Sequence, residues 1–217
     1  MEIIKKFIPV LILLAVSWYT HVFTMMQQRP QSVHMWAMCD RGSVARNFAQ
    51  ESMDFFHPRV HETKEGDGIC GMEFPVMNYA AAICYRLFGF NEIWYRLIMF
   101  IVYGAGMIAA YGITGFFLRN FLNRALVSAL VASSPVLTYY AANFIPDTAA
   151  LGFILLSWYY FLKGRKDGTV ISLSLFFVFL TLASLIKITA AIGSLILLGL
   201  FLMSFLQKRP SFEIGQI

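Results

Sequence analysis

The chain opens on an apolar run from Phe7 to about Met26, then turns polar and aromatic through residues 27–94. Apolar runs return at residues 95–118, 125–143, 148–162, 169–185 and 189–206, separated by short polar or basic turns. About 20 helical residues rising 1.5 Å each cross a hydrocarbon core of about 30 Å. The pattern therefore predicts an all-α polytopic membrane protein, a single domain over residues 1–217 with about six transmembrane helices and a long first loop. No small-x-small cleavage site follows the first run, so it reads as an uncleaved span with Trp18 and Tyr19 near the outer interface. Ser133-Ser134-Pro135 interrupts the third run and predicts a kink, the hydroxyls helping to satisfy the freed backbone. Residues 169–206 are too many for one span and are broken by Lys187, so two helices should meet near Leu185 to Thr189.

Within the long loop, Val44, Ala45 and Phe48 recur at helical spacing with Arg41, Arg46 and Asn47 between them. That pattern predicts a short amphipathic helix lying on the membrane surface, with Asp40 at its N-terminus. A second interfacial helix is expected from about Pro75 to Phe88, stopped by Gly89. Pro146 and Asp147 stand where the first turn of the fourth span begins, a place that tolerates proline and favours a carboxylate.

Composition agrees with a bilayer setting: 59% of residues are hydrophobic and 13% charged, against about 25% charged in soluble domains. The net charge of +5 is informative through its placement. Lys5, Lys6, Arg119, Arg124, Lys163, Arg165, Lys166, Lys208 and Arg209 fall at alternate ends of the predicted spans, hence on one side. The positive-inside rule makes that side cytoplasmic and puts the long loop, the Pro146-Asp147 turn and Lys187 on the exoplasmic face. No basic stripe with interleaved aromatics is present, which excludes nucleic acid as a partner. Cys39, Cys70 and Cys84 lack zinc-ligand spacing; free thiols are the simpler reading, with a Cys39–Cys70 disulfide left open.

Four charged residues of the outer face invite chemistry, and each has a plainer account. Asp40 could be an N-cap, Glu73 a solvated carboxylate and Asp147 a first-turn helix charge. Lys187 must reach the surface or meet an anion, because a lysine near mid-bilayer costs about 2.5–3.5 kcal/mol.

Taken together, several motifs carry a family likeness. His34 and Trp36 lead to Asp40, followed by Ala45-Arg46-Asn47-Phe48, Phe55-Phe56-His57-Pro58-Arg59 and Gly71-Met72-Glu73-Phe74-Pro75 with Tyr79. With Asn143 to Asp147 and Leu185 to Thr189, the chain resembles the polyprenyl-phosphate-dependent C-type (GT-C) glycosyltransferases. Within these it is most similar to the group of dolichyl-phosphate-mannose–protein mannosyltransferases and lipid A aminoarabinose transferases. The resemblance implies transfer of a sugar from a polyprenyl-phosphate donor to an acceptor hydroxyl at the exoplasmic face, with inversion. It implies Asp40 as general base, Asp147 as a second acid and Lys187, Arg41 and Arg59 as donor-phosphate ligands. Glu73 matches a glutamate that helps hold a divalent metal ion, the one cofactor expected; His34, Trp36 and Tyr79 would be further loop contacts. Ala37-Met38-Cys39 replaces the polar residues that precede the aspartate in relatives. Family members continue through a second set of spans, so a C-terminal half or partner subunit is expected alongside an unidentified acceptor. The expected setting is the inner (plasma) membrane of a bacterium, active face periplasmic. The runner-up is a non-catalytic partner subunit or carrier-binding membrane protein. A small transporter would need ionisable residues inside the spans, where only Lys187 qualifies.

Overall fold

A computed structural model describes residues 2–61 and 66–207 of the chain. Among them the chain is helical, with one isolated antiparallel bridge between Arg59 and Ile69. The first apolar run forms α1 (Glu2–Tyr19) and a short α2 (Val22–Met25), not one continuous helix. The break falls at His21, whose φ of 58° is left-handed and cannot extend a helix. Then follow α3 (Met35–Gln50), α4 (Val76–Phe88) and α5 (Ile93–Phe117). Gly89, at φ 84°, ends α4 as expected, a conformation that favours glycine.

The third apolar run divides fully into α6 (Phe121–Ala132) and α7 (Pro135–Tyr140), where a kinked single helix was expected. Pro135 has no N–H to continue the α6 ladder and instead opens α7, for which its fixed φ is suited. Asn120 caps α6 by accepting the Leu122 N–H at 2.8 Å. Helix α8 (Asp147–Asp167) starts at the proposed acid but runs past Leu162, ending only where Gly168 turns left-handed at φ 67°. Helix α9 (Val170–Ile186) stops at Lys187, which is extended (φ −144°, ψ 112°). A 3₁₀ turn, Ile188–Ala191, leads into α10 (Ile192–Gln207), so the predicted junction lies where it was expected. By length and apolarity alone, α5 is the one helix among the described residues that meets the requirement for crossing a membrane. Lys208 and Arg209 lie outside the described residues.

Packing sets which ends meet. Helix α8 lies between α5 and α9, while α1 and α6 pack on α5 and α3 pairs with α4. The α5–α8 crossing is backbone-close: a Cβ on Gly106 would lie 2.4 Å from the Gly152 Cα, and one on Gly152 would lie 2.5 Å from the Val102 carbonyl oxygen. Small residues at a crossing let two helices make such contact. At the far end, the Lys166 ammonium sits 6.0 Å from the Phe116 ring centroid and the Arg124 guanidinium 4.5 Å from that of Tyr111. The C-terminal ends of α5 and α8 and the start of α6 thus share one basic end of the bundle.

The opposite end is organised by one core. Met38 and Ala45 of α3, Met77, Ala81 and Tyr85 of α4, Tyr95 and Met99 of α5, Phe144, Ala149 of α8 and Ile186 of α9 are buried together. The apolar face of α3 is therefore covered by protein, where the pattern had suggested lipid. Tyr95 stacks on Phe144 with ring centroids 4.6 Å apart, and the buried Arg96 guanidinium lies over the same ring at 4.8 Å. Arg96 also donates to the carbonyls of Ala142 (2.9 Å) and Arg29 (3.3 Å), tying three segments together at the start of α5.

Candidate functional site at the acidic end of the bundle

Asp40 lies inside α3, well after its first turn, so the N-cap account of this residue does not hold. Nothing in Met35-Trp36-Ala37-Met38-Cys39 interrupts a helix, and α3 accordingly begins at Met35, one turn and more before Asp40. Asp40, Arg41 and Val44 line a cavity of about 400 Å³ together with Val60 and residues 70–73. Those last residues return to α3 through a small hairpin. Val60 N–H donates to Gly68 O at 2.9 Å and Cys70 N–H to Pro58 O at 3.0 Å. The hairpin is moored to α3 by Asn47, whose side chain donates to Arg59 O at 2.9 Å.

A second cavity, about 390 Å³, is lined by His34, Ala37, Arg41, Tyr140, Asp147 and Lys187 among others. Arg41 lines both cavities, so they adjoin across its side chain. The single pocket expected around the three acids is thus two neighbouring chambers. Arg41 bridges them by pairing with Glu73 while donating to the Ala37 carbonyl at 3.1 Å. The Arg41 backbone is held in turn by Asn78 of α4, whose amide donates to Arg41 O at 2.8 Å. Phe74 N–H reaches Leu185 O at 3.3 Å, which fastens the Glu73 segment to the end of α9, just before Lys187.

Lys187 meets Asp147 at 3.0 Å, across the α8 start and the α9 end. Its chain break supplies the anion-partnered route out of the apolar stretch. With side chains 35% and 46% exposed, this pair is solvent-screened and worth about 0–1 kcal/mol, so an incoming anion can open it easily.

The remaining candidates sit apart. Arg59 lines neither cavity: its carbonyl is in the Asn47 anchor and its backbone in the bridge to Ile69. Trp36 is 77% exposed and outside both cavities. Tyr79 packs its ring on Phe48 and Phe55 at 5.4 and 5.2 Å, a supporting position for α3 and the hairpin. Among the described residues no group of three His, Cys, Asp or Glu side chains is placed to hold a metal ion, and the Glu73 carboxylate is taken up by Arg41. Among the described residues, Glu73 thus has no further acid, histidine or cysteine beside it that would complete a divalent-ion site from protein ligands alone. The three cysteines are free thiols.

Cys70 reports on Asp40. Burial raises its thiol above the usual range, and the Asp40 carboxylate adds to the rise by disfavouring a second negative charge. In a chain with Cys39→Ser and Cys84→Ser, alkylation of Cys70 should therefore follow a pH profile that moves to lower pH when Asp40→Asn is added. A profile that stays in place would separate the two groups.

Sequence reasoning put Asn47 on the polar face of the surface helix, where the fold buries it, and gave no weight to Asn78 and Arg96. The two asparagines could have been found, because each stands among buried neighbours of its helix. A buried amide at such a place needs partners. Arg96, next to Trp94 and Tyr95 at the start of an apolar run, looks like an interfacial anchor, and only the fold turns it inward.

The bundle thus carries two charged cavities at one end, and comparison with known proteins gives the family. The family model described as dolichyl-phosphate-mannose-protein mannosyltransferase matches residues 73–213, well over half of the chain. The chain belongs to this family, whose members are membrane glycosyltransferases of the GT-C type. The match takes in Glu73, Tyr79, Asp147 and Lys187 and begins after Asp40, Arg41 and Arg59. No curated protein and no solved structure matches the chain.

Proposed function

We propose that the chain moves a sugar from a polyprenyl-phosphate donor to an acceptor hydroxyl, with inversion at the anomeric carbon, at the exoplasmic face of a bacterial inner membrane. The observation that supports this most is the sharing of Arg41 by two adjoining cavities, one holding Asp40 and the other Lys187. A base and a phosphate-binding cation are then neighbours, as a displacement at C1 requires. The acceptor hydroxyl attacks C1 as Asp40 takes its proton. The C1–O bond to the carrier breaks, and the polyprenyl phosphate departs with the bonding electrons. Its charge is met by Arg41 and by Lys187 once Asp147 has been displaced from it. Asp147 holds the ammonium in place until the donor arrives.

Six spans cross the bilayer in this reading. Arg119, Arg124, Lys163, Arg165 and Lys166 stay cytoplasmic, while α3, α4 and the hairpin sit on the outer face. The gathering of Arg124 and Lys166 at one end of α5 and α8 supports that orientation.

The second reading is carrier binding without transfer, in which Lys187 exchanges its exposed partner Asp147 for the carrier phosphate and no proton is taken. Transfer from a radiolabelled polyprenyl-phosphate sugar decides between them. On the transferase reading, Lys187→Ala lowers turnover roughly 10²-fold, while Lys187→Arg retains most of it. Donor binding with no transfer by the parent chain, and loss of that binding in Lys187→Ala, would establish the second reading.

A further inference from the structure

Helix α3 has a second functional face. Gly42 and Arg46 turn away from Asp40 and line a cavity of about 310 Å³ with Arg29, Tyr85, Phe90 and Glu92 among others. A neighbouring hollow of about 460 Å³ shares Arg29, Arg46, Phe90 and Glu92 and adds Met26 and Ile93, so the two form one continuous cleft. Successive helical residues are about 100° apart, which puts Arg46 and Gly42 on the side of α3 opposite Asp40 and Val44. The cleft is therefore separate from the two chambers described above.

Its position is informative. One wall is the chain just after the first apolar run, the other is the turn into α5, so it lies where two apolar helices emerge. Its charge is informative too. Arg46 spans the mouth, its Nε donating to Gln50 at 2.9 Å and its guanidinium lying 5.5 Å from the Phe90 ring centroid. Neither Arg29 nor Arg46 is in an ion pair among the described residues. The one acid in the lining is Glu92, which the two arginines outnumber. Two arginines and one carboxylate beside the Phe90 ring thus leave the lining net positive.

We propose that this cleft binds the phosphate of an anionic phospholipid headgroup, with Arg29 and Arg46 as the paired ligands. The planar arginine fork binds a phosphate bidentately, and two such forks at one mouth suit a lipid phosphate. The exposed Phe88 and Phe90 beside the mouth provide contact for the acyl-chain region. The proposal rests on the membrane setting that the family supplies and is independent of the transfer reaction.

The test is native mass spectrometry of the full chain in a zwitterionic detergent, titrated separately with phosphatidylglycerol and phosphatidylcholine. The expected result is binding of phosphatidylglycerol roughly 10- to 30-fold tighter than phosphatidylcholine. Arg29→Gln/Arg46→Gln should erase that difference, and Arg119→Gln/Lys163→Gln should keep it. Arg29→Gln alone, whose side chain makes no hydrogen bond among the described residues, should weaken binding without a change in near-ultraviolet dichroism and so guards against misfolding of the double variant. Equal binding of the two lipids, or a preference untouched by the arginine variants, would overturn the proposal. Full displacement by millimolar inorganic phosphate, with no lipid preference, would also overturn it and assign the cleft to free phosphate. Failure of this site leaves Asp40-dependent sugar transfer unaffected, so the two readings fail separately.

Discussion

An Asp40→Asn chain folds like its parent and transfers sugar roughly 10²–10⁴ times more slowly, the range a positioned general base contributes. The amide is nearly isosteric with the carboxylate but cannot accept the hydroxyl proton. Asp40 is on the solvent side of α3, and its side chain is in no ion pair among the described residues, so stability should barely move. Donor binding should survive as well, because Arg41 and Lys187, the phosphate ligands we propose, are untouched. The decisive measurement is turnover beside donor affinity for the same preparation. Full turnover in Asp40→Asn removes the assigned base, and loss of folded protein makes Asp40 a structural residue instead.

The second large effect is on the bundle. Gly106→Ala should leave little folded protein, because its Cβ would press into the Gly152 backbone at 2.4 Å, where every nearby atom is main chain and no side-chain tip can give way. Overpacking of cores usually costs about 1–3 kcal/mol, and a backbone clash belongs at or beyond the upper end. Gly104→Ala meets only the tip of the Leu13 side chain at 2.9 Å and should be mild, while Gly199→Ala meets nothing within 4 Å and should be neutral. Thermal unfolding in detergent, followed by tryptophan fluorescence, checks the ranking. An unchanged midpoint for Gly106→Ala would mean that α5 and α8 do not cross at this point. The same crossing sets the height of Asp147 against α3, so any surviving Gly106→Ala protein should also lose activity.

How much of this was legible beforehand varies with the range of the interaction. The Lys187 break, the Gly89 stop and the Pro146-Asp147 helix start were read correctly because each depends on one or two residues and their own backbone preferences. The start of α3 was misread because Ala37-Met38-Cys39 carries no boundary signal. The single helix expected at residues 125–143 failed because Pro135 opened a new helix where a kink had been allowed for. Arg59 was grouped with Arg41 because a departing donor phosphate needs cations, and only packing separates the one that bridges two cavities from the one whose backbone holds a hairpin.

By itself the chain of residues determined that the protein is a helical, bilayer-type molecule, where most of its helices break, and which charged residues fall between the apolar runs. These follow from hydropathy and backbone preference, which act over a few residues. Tertiary structure alone decided which charges meet. Arg41 joins Glu73 over 32 positions and Lys187 joins Asp147 over 40, because the paired glycines of α5 and α8 and the shared core around Phe144 bring distant segments to one end. Such partnerships depend on three-dimensional packing, and no local pattern records them.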